Sequence, residues 1–280
     1  MTLIQLHPPR PAITWEILPD DFILPDDPGE NNLQPLLAAA IRESLELAGL
    51  ILLADVIATN FGLCAKVDDK TVVKAPDWLW IRDVPAIPEG KIRRSYTPHA
   101  EGPVPLIVME FISETEGQEY SFNPHYPYGK WYFYEQILQV PIYVIFHPYT
   151  GELDVYRLQE NSYRKQITDE HGRYWLPEFG LFLGVWQGSR GLMTANWLRW
   201  WDSSGSLMLW GKELIEQVQQ QADQEYQRAE QLTSDLEQER STRQLLEGKL
   251  RELGIDPVGV AFPPGNRLSC FNSKSPFGCS

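Results

Sequence analysis

The chain has 280 residues, 43% hydrophobic and 12% aromatic, with a net charge of −14, which suits one medium domain plus an appendage, or two small domains. The acidity argues against broad nucleic-acid affinity built on phosphate neutralisation, and no apolar run approaches the roughly 18 residues of a membrane span. Cys64, Cys270 and Cys279 form neither a disulfide framework nor a zinc spacing, and the opening residues lack a secretory pattern, so a cytoplasmic, reducing setting is expected.

Residues 1–30 are rich in proline and aspartate and read as an extended lead-in, with Asp26 to Asn32 offering N-cap chemistry. A helix should follow, since Leu33, Leu36, Leu37, Ala40, Ile41, Ser44, Leu45 and Ala48 recur at helical spacing and Gly49 closes the series. Residues 50–58 and 61–67 read as strands, and Asp68-Asp69-Lys70 as a hairpin turn into the run Thr71 to Ile81. Residues 85–105 are loop-like and carry the basic patch Lys91, Arg93 and Arg94. Beyond them come the apolar run Val104 to Ser113, a helix over about 130–138, and an apolar strand at 140–148 whose proline sits at its start. A meander over 153–159, 163–167 and 173–176 completes a mixed α/β sheet flanked by helices.

Residues 184–211 hold Trp186, Trp197, Trp200, Trp201 and Trp210. The runs 197–201 and 207–210 flank Asp202-Ser203-Ser204-Gly205-Ser206, which predicts a C-terminal hairpin with aromatic cross-strand partners. Such rings pack a core or stack against bases. From Ile215 a heptad runs to Leu253, apolar at nine of twelve seam positions, with Glu225, Glu239 and Arg243 as exceptions. It predicts a coiled coil within 212–254, with homo-oligomerisation through 215–253. Residues 212–254 also carry ten Asp/Glu against six Lys/Arg, so −4 of the −14 charge resides there. The stretch 255–280, rich in Gly, Pro and Ser, is expected to be disordered. The implied organisation is a lead-in (1–30), an α/β domain (31–183), the tryptophan hairpin (184–211), the long helix (212–254) and a tail.

Two carboxylates stand out. Glu110 lies near the end of Val104-Pro105-Leu106-Ile107-Val108-Met109-Glu110-Phe111-Ile112-Ser113, and Asp77 lies in a similar apolar run. Burying an unpaired carboxylate costs several kcal/mol, so such a residue has a cation or a chemical task. Two carboxylates, a nearby lysine and the Phe111 carbonyl would suit a divalent ion that activates water for phosphodiester hydrolysis. The plainer alternatives are a strand-end or turn role for Asp77 and a simple ion pair between Glu110 and Arg82, Lys74 or Arg94. The histidines (His99, His125, His147, His171) show no metal-ligand spacing.

Pro76-Asp77, then Val108-Met109-Glu110-Phe111-Ile112-Ser113, then Lys130 in Gly129-Lys130-Trp131-Tyr132-Phe133-Tyr134-Glu135, follow one another in an order that resembles the Uma-type family of restriction endonucleases, within the PD-(D/E)XK nuclease superfamily. The strand Val140 to Pro148 resembles that family's following strand, with His147 in place of its aspartate, and the likeness spans about residues 30–160. The resemblance implies a restriction-endonuclease-like fold, DNA as substrate, Mg²⁺ or Mn²⁺ as cofactor, Asp77 and Glu110 as metal ligands, and Lys130 as the catalytic lysine. The superfamily lysine usually stands two places after the glutamate, where this chain has Ile112. An acidic residue on the first helix would correspond to Glu43 or Glu30. The competing readings are a catalytically idle nuclease-like scaffold working through its coiled coil, and a nucleic-acid binder using the tryptophans.

Overall fold

The computed structural model describes residues 12–17, 19, 32–112 and 119–257. Backbone contacts divide the chain into two compact units, Met1–Ile215 and Glu216–Ser280. In chain order the first unit contains β1 (Ile13–Thr14), α1 (Gln34–Leu47), β2 (Val56–Ala58), β3 (Gly62–Val67), β4 (Lys70–Lys74), β5 (Trp78–Ile81), β6 (Ser95–Tyr96) and β7 (Ile107–Phe111). Then come α2 (Lys130–Tyr132), continued as a π-helix over Phe133–Leu138, and β8 (Ile142–Phe146), β9 (Leu153–Gln159), β10 (Ser162–Lys165), β11 (Tyr174–Leu176), β12 (Leu181–Arg190) and β13 (Met193–Trp201). The long helix α3 (Gly211–Glu252) starts in the first unit and supplies the second.

The fold is mixed α/β. Its main sheet has six strands in the order β10-β9-β8-β7-β5-β2, with β7 and β8 parallel and the other neighbours antiparallel. Alternation along the strands sorts side chains onto two faces. Trp78, Trp80, Ile107, Met109, Phe111, Val144 and Phe146 join a core with Leu37 and Ile41 of α1 and with Trp197, Leu198 and Trp200 of the three-stranded sheet β11-β12-β13. Leu79, Ile81, Val108, Ile112, Tyr143 and Ile145 join the other core, with Phe133, Tyr134, Ile137 and Leu138 of the π-helix and Leu63, Ala65 and Tyr96 of the small β1-β3-β4 sheet with its added β6. Both faces of β7 and β8 are covered, which is why those strands are apolar almost throughout.

Several expectations are corrected by tertiary pairing. The helix begins after Leu33 with no side-chain cap; Pro35 fixes its first turn, and Asp26 to Asn31 lie outside the described residues. The run Thr71 to Ile81 is not one strand, because it divides at Ala75-Pro76. β4 pairs with β3 in the small sheet through a turn with Asp68 at φ 46° and Asp69 at φ 63°, while β5 enters the main sheet. Proline lacks the N–H that a continuous ladder would need there. The tryptophan-rich segment also pairs differently. Its long hairpin is β12 with β13, joined at Gly191-Leu192, and residues 202–206 form a turn closed by the lone bridge Trp201 to Leu207. Trp197 and Trp200 are thus buried core residues, and the Trp200 and Trp210 indole N–H groups donate to the Ile41 and Ala40 carbonyls of α1.

Arg199 is the unexpected part of that layer. It is fully buried, its guanidinium stacks 3.5 Å from the Trp210 ring, and it forms a two-pronged pair with Glu213 at 3.0 and 2.7 Å. Glu213 also accepts the backbone N–H of Trp210, which fixes the start of α3. No described residue of α3 is buried, and no helix among the described residues is long and apolar enough to cross a membrane.

Candidate active site

Asp77 immediately precedes β5, and Glu110 is the penultimate residue of β7. Because Trp78 pairs with Met109, one further step places Asp77 opposite Glu110. Directly opposed residues of an antiparallel pair project to the same face. Glu110 shares the face of Val108 and Ile112, beneath the π-helix. Asp77 stays at the strand edge by accepting the Phe111 N–H, left exposed where β5 has ended. Its aspartate chemistry does here what a continued strand would otherwise do.

Lys130 arrives from the other side. Gly129 lies against Ser121, where an added Cβ would stand 1.9 Å from the Ser121 carbonyl oxygen, so only glycine lets the preceding loop close here. The Gly129 N–H donates to the Asn123 carbonyl, and the helix starts at the next residue. The Lys130 ammonium donates to Glu110 Oε2 at 3.1 Å, and one helical turn on the Tyr134 hydroxyl donates to Glu110 Oε1 at 2.8 Å. Glu110, fully buried, is therefore clamped on both oxygens by one short helical segment. Of the partners weighed for a plain ion pair with Glu110, Arg82 is engaged elsewhere: it donates to the Glu178 carbonyl and lies over the Trp80 and Phe179 rings.

Electrostatics follow from burial. Burial pushes the Glu110 carboxyl above the usual range, with Lys130 and Tyr134 opposing. Burial also acts to lower the Lys130 pKa, but Glu110, Glu119 and Asp77 outweigh it and hold the group firmly as an ammonium. The Tyr134 phenol, buried beside Glu110, is raised well above its ordinary value and remains a neutral donor.

Two residues of this cluster were missed in the sequence. Tyr134 was legible in principle, four residues from Lys130 on a helix. Glu119 carried no periodic signal, yet it is buried, with Oε1 3.5 Å from Lys130 Nζ and its carbonyl accepting the Tyr143 hydroxyl at 2.9 Å. Other candidates lie elsewhere. Glu43 pairs with Arg190 at 2.6 Å and accepts the Gly211 N–H, so its carboxylate is engaged with β12 and the start of α3. Near the start of α1 the residue that reaches β7 is Gln34, whose side-chain amide donates to the Phe111 carbonyl at 2.8 Å. That carbonyl is therefore already engaged through one lone pair. Glu30 and Ser113 lie outside the described residues. In the basic patch Arg93 pairs with Glu101 at 2.9 Å.

Among the described residues, no three His, Cys, Asp or Glu side chains stand close enough to hold a metal ion jointly. Two opposed carboxylates nonetheless suit Mg²⁺, which takes one or two protein carboxylates and fills its remaining positions with water and phosphate oxygens. Glu119 Oε2 is buried with no hydrogen-bond partner among the described residues, an acceptor still in want of a donor. The donor set, all hard oxygen, fits such an ion.

No curated protein matches the chain. A family model described as "Uma2: Putative restriction endonuclease" matches residues 5–189, a span that includes Asp77, Glu110, Glu119, Lys130 and Tyr134. With most of its length matched, the chain belongs to the Uma2 family of restriction-endonuclease-like proteins.

Proposed function

We propose that the protein is a Mg²⁺- or Mn²⁺-dependent endonuclease that hydrolyses DNA phosphodiester bonds, with Asp77 and Glu110 as metal ligands and Lys130 as the catalytic lysine. The observation that carries this reading is the meeting of Lys130 with Glu110 at 3.1 Å, next to an aspartate set opposite Glu110 by strand register. Bound between the two carboxylates, the ion would supply charge neutralisation on the phosphoryl oxygens and an acidified water. The residues do the rest. Tyr134 and Lys130 fix the orientation of Glu110, the Phe111 N–H fixes Asp77, and the Lys130 ammonium lies ready to stabilise charge gathering on the phosphoryl group. Lys130 takes the place of the superfamily lysine, whose usual position, Ile112, is a core residue here. Asp77→Asn and Glu110→Gln should each lower Mg²⁺-dependent nicking of supercoiled DNA by at least about a hundredfold, with the far-ultraviolet spectrum unchanged. Wild-type cleavage by either variant rejects the assignment.

A second reading, an idle nuclease-like scaffold working through α3, draws support from the exposure of Leu232, Leu236, Leu246 and Leu253 along the heptad seam. Both readings allow two copies to pair through residues 215–253. Loss of self-association on cutting the chain after residue 214, measured by sedimentation equilibrium, tests the pairing. The absence of any metal-dependent nicking, with pairing retained, would favour the scaffold.

A further inference from the structure

Glu119 has more carboxylate than its neighbours use. Its side chain is nearly fully buried, yet its ion-pair partner among the described residues, Lys130, lies nearer to Glu110 (3.1 Å) than to it (3.5 Å). Its second oxygen, Oε2, has no partner among the described residues. Leaving a buried carboxylate oxygen unsatisfied is costly, and a purely structural ion pair would be expected to occupy both oxygens or leave one in solvent. On α1, Glu43 is engaged with Arg190, Glu46 with Arg42, and Gln34 is neutral.

We propose that Glu119 is the third acidic residue of the metal site, supplied by the loop before α2, and that its Oε2 accepts a hydrogen bond from a water on the divalent cation while Oε1 remains on Lys130. The contact runs through water because no three acidic side chains among the described residues converge closely enough to share an ion directly. The inference rests on the metal-dependent reading of Asp77 and Glu110 and adds to it a residue that controls both ion affinity and the placement of Lys130.

The test is calorimetric titration of the full chain with Mn²⁺, comparing wild type, Glu119→Gln and Glu110→Gln. The expected result is a ten- to hundredfold weaker Mn²⁺ affinity in Glu119→Gln, the usual range for losing an outer-shell partner, partial recovery in Glu119→Asp, and no measurable binding in Glu110→Gln. Wild-type affinity in Glu119→Gln, with binding lost in Glu110→Gln, overturns the role of Glu119 and leaves the nuclease reading standing. Absence of Mn²⁺ binding by the wild type overturns both. Should Glu119→Gln fail to fold, Mn²⁺-soaked crystals of the wild type decide. One intervening water places the ion about 4–5 Å from Oε2, and an ion in direct contact or beyond about 6 Å overturns the proposal.

Discussion

Lys130→Met removes the ammonium paired with the buried Glu110 while keeping most of the side-chain volume. Breaking a buried pair by deleting one partner typically costs about 3–5 kcal/mol, because the remaining charge is uncompensated. The cost has a ceiling, since Glu110 can instead take up a proton. From an ordinary glutamate pKa of about 4.3, holding that proton at pH 7 costs about 3.7 kcal/mol, and at pH 5 about 1 kcal/mol. Burial already raises the Glu110 carboxyl in the wild type, so the true deficit lies somewhat below these ceilings. The sign follows from linkage. A carboxyl whose pKa is raised by folding contributes fully below its unfolded value, and that contribution is lost as pH climbs through the folded value. Lys130 restrains the rise, so the variant loses stability over a wider range of pH. Urea unfolding followed by tryptophan fluorescence should therefore give a deficit of about 3 kcal/mol at pH 7, shrinking to about 1 kcal/mol at pH 5. An equal deficit at both pH values would refute the electrostatic account and leave only lost packing.

Gly129→Ala should destabilise the protein by about 1–3 kcal/mol and shift Lys130 off Glu110, since the new methyl meets the Ser121 backbone; thermal melting and Mn²⁺ titration check the two effects. Arg199→Met should cost about 3 kcal/mol in urea unfolding, through lost stacking on Trp210 and the severed Glu213 pair, and Arg199→Lys should not recover it, because lysine cannot form the two-pronged contact. The buried Cys64 thiol is pushed up to about 11 by burial, so in a Cys270→Ser/Cys279→Ser background it should react with iodoacetamide at pH 8 at least about a hundredfold more slowly in the native protein than in urea. Comparable rates would mean that Cys64 is accessible.

Much of the sheet was legible because its strands carry their own signals. The alternation in β9, the Asp68-Asp69 turn, and the apolar runs of β7 and β8 each express a local preference that the fold satisfies. The split of residues 71–81 between two sheets was harder to read, although Pro76 marks it. Which sheet a strand joins depends on partners distant in sequence, and a period of two looks the same in either. The tryptophans misled for a similar reason. Residues 202–206 carry turn chemistry as good as that of Gly191-Leu192, and only the packing of β13 on α1 decides that the long pairing runs backwards to β12.

For the site, an acidic residue in an apolar run was conspicuous because burial of charge is rare and costly, and that alone singled out Asp77 and Glu110. The register of β5 on β7 then sets the two carboxylates side by side, although β6 and its flanking loops lie between those strands in the chain. Lys130, Tyr134 and Glu119 are different: the four-residue spacing puts Lys130 and Tyr134 on one helix face, but nothing local says what that face or Glu119 meets. The ammonium and the phenol reach Glu110 only because Gly129 fits against Ser121 and the helix continues in a π-helical winding. Glu119 reaches Lys130 only because its loop packs back on Tyr143. The strands and their two carboxylates were thus determined by the chain itself, through short-range patterning and the cost of burying charge. Their cation, their hydroxyl donor and the third carboxylate were decided by the tertiary structure, because a meeting of side chains from a loop, a helix and a strand is a property of how those elements close on one another.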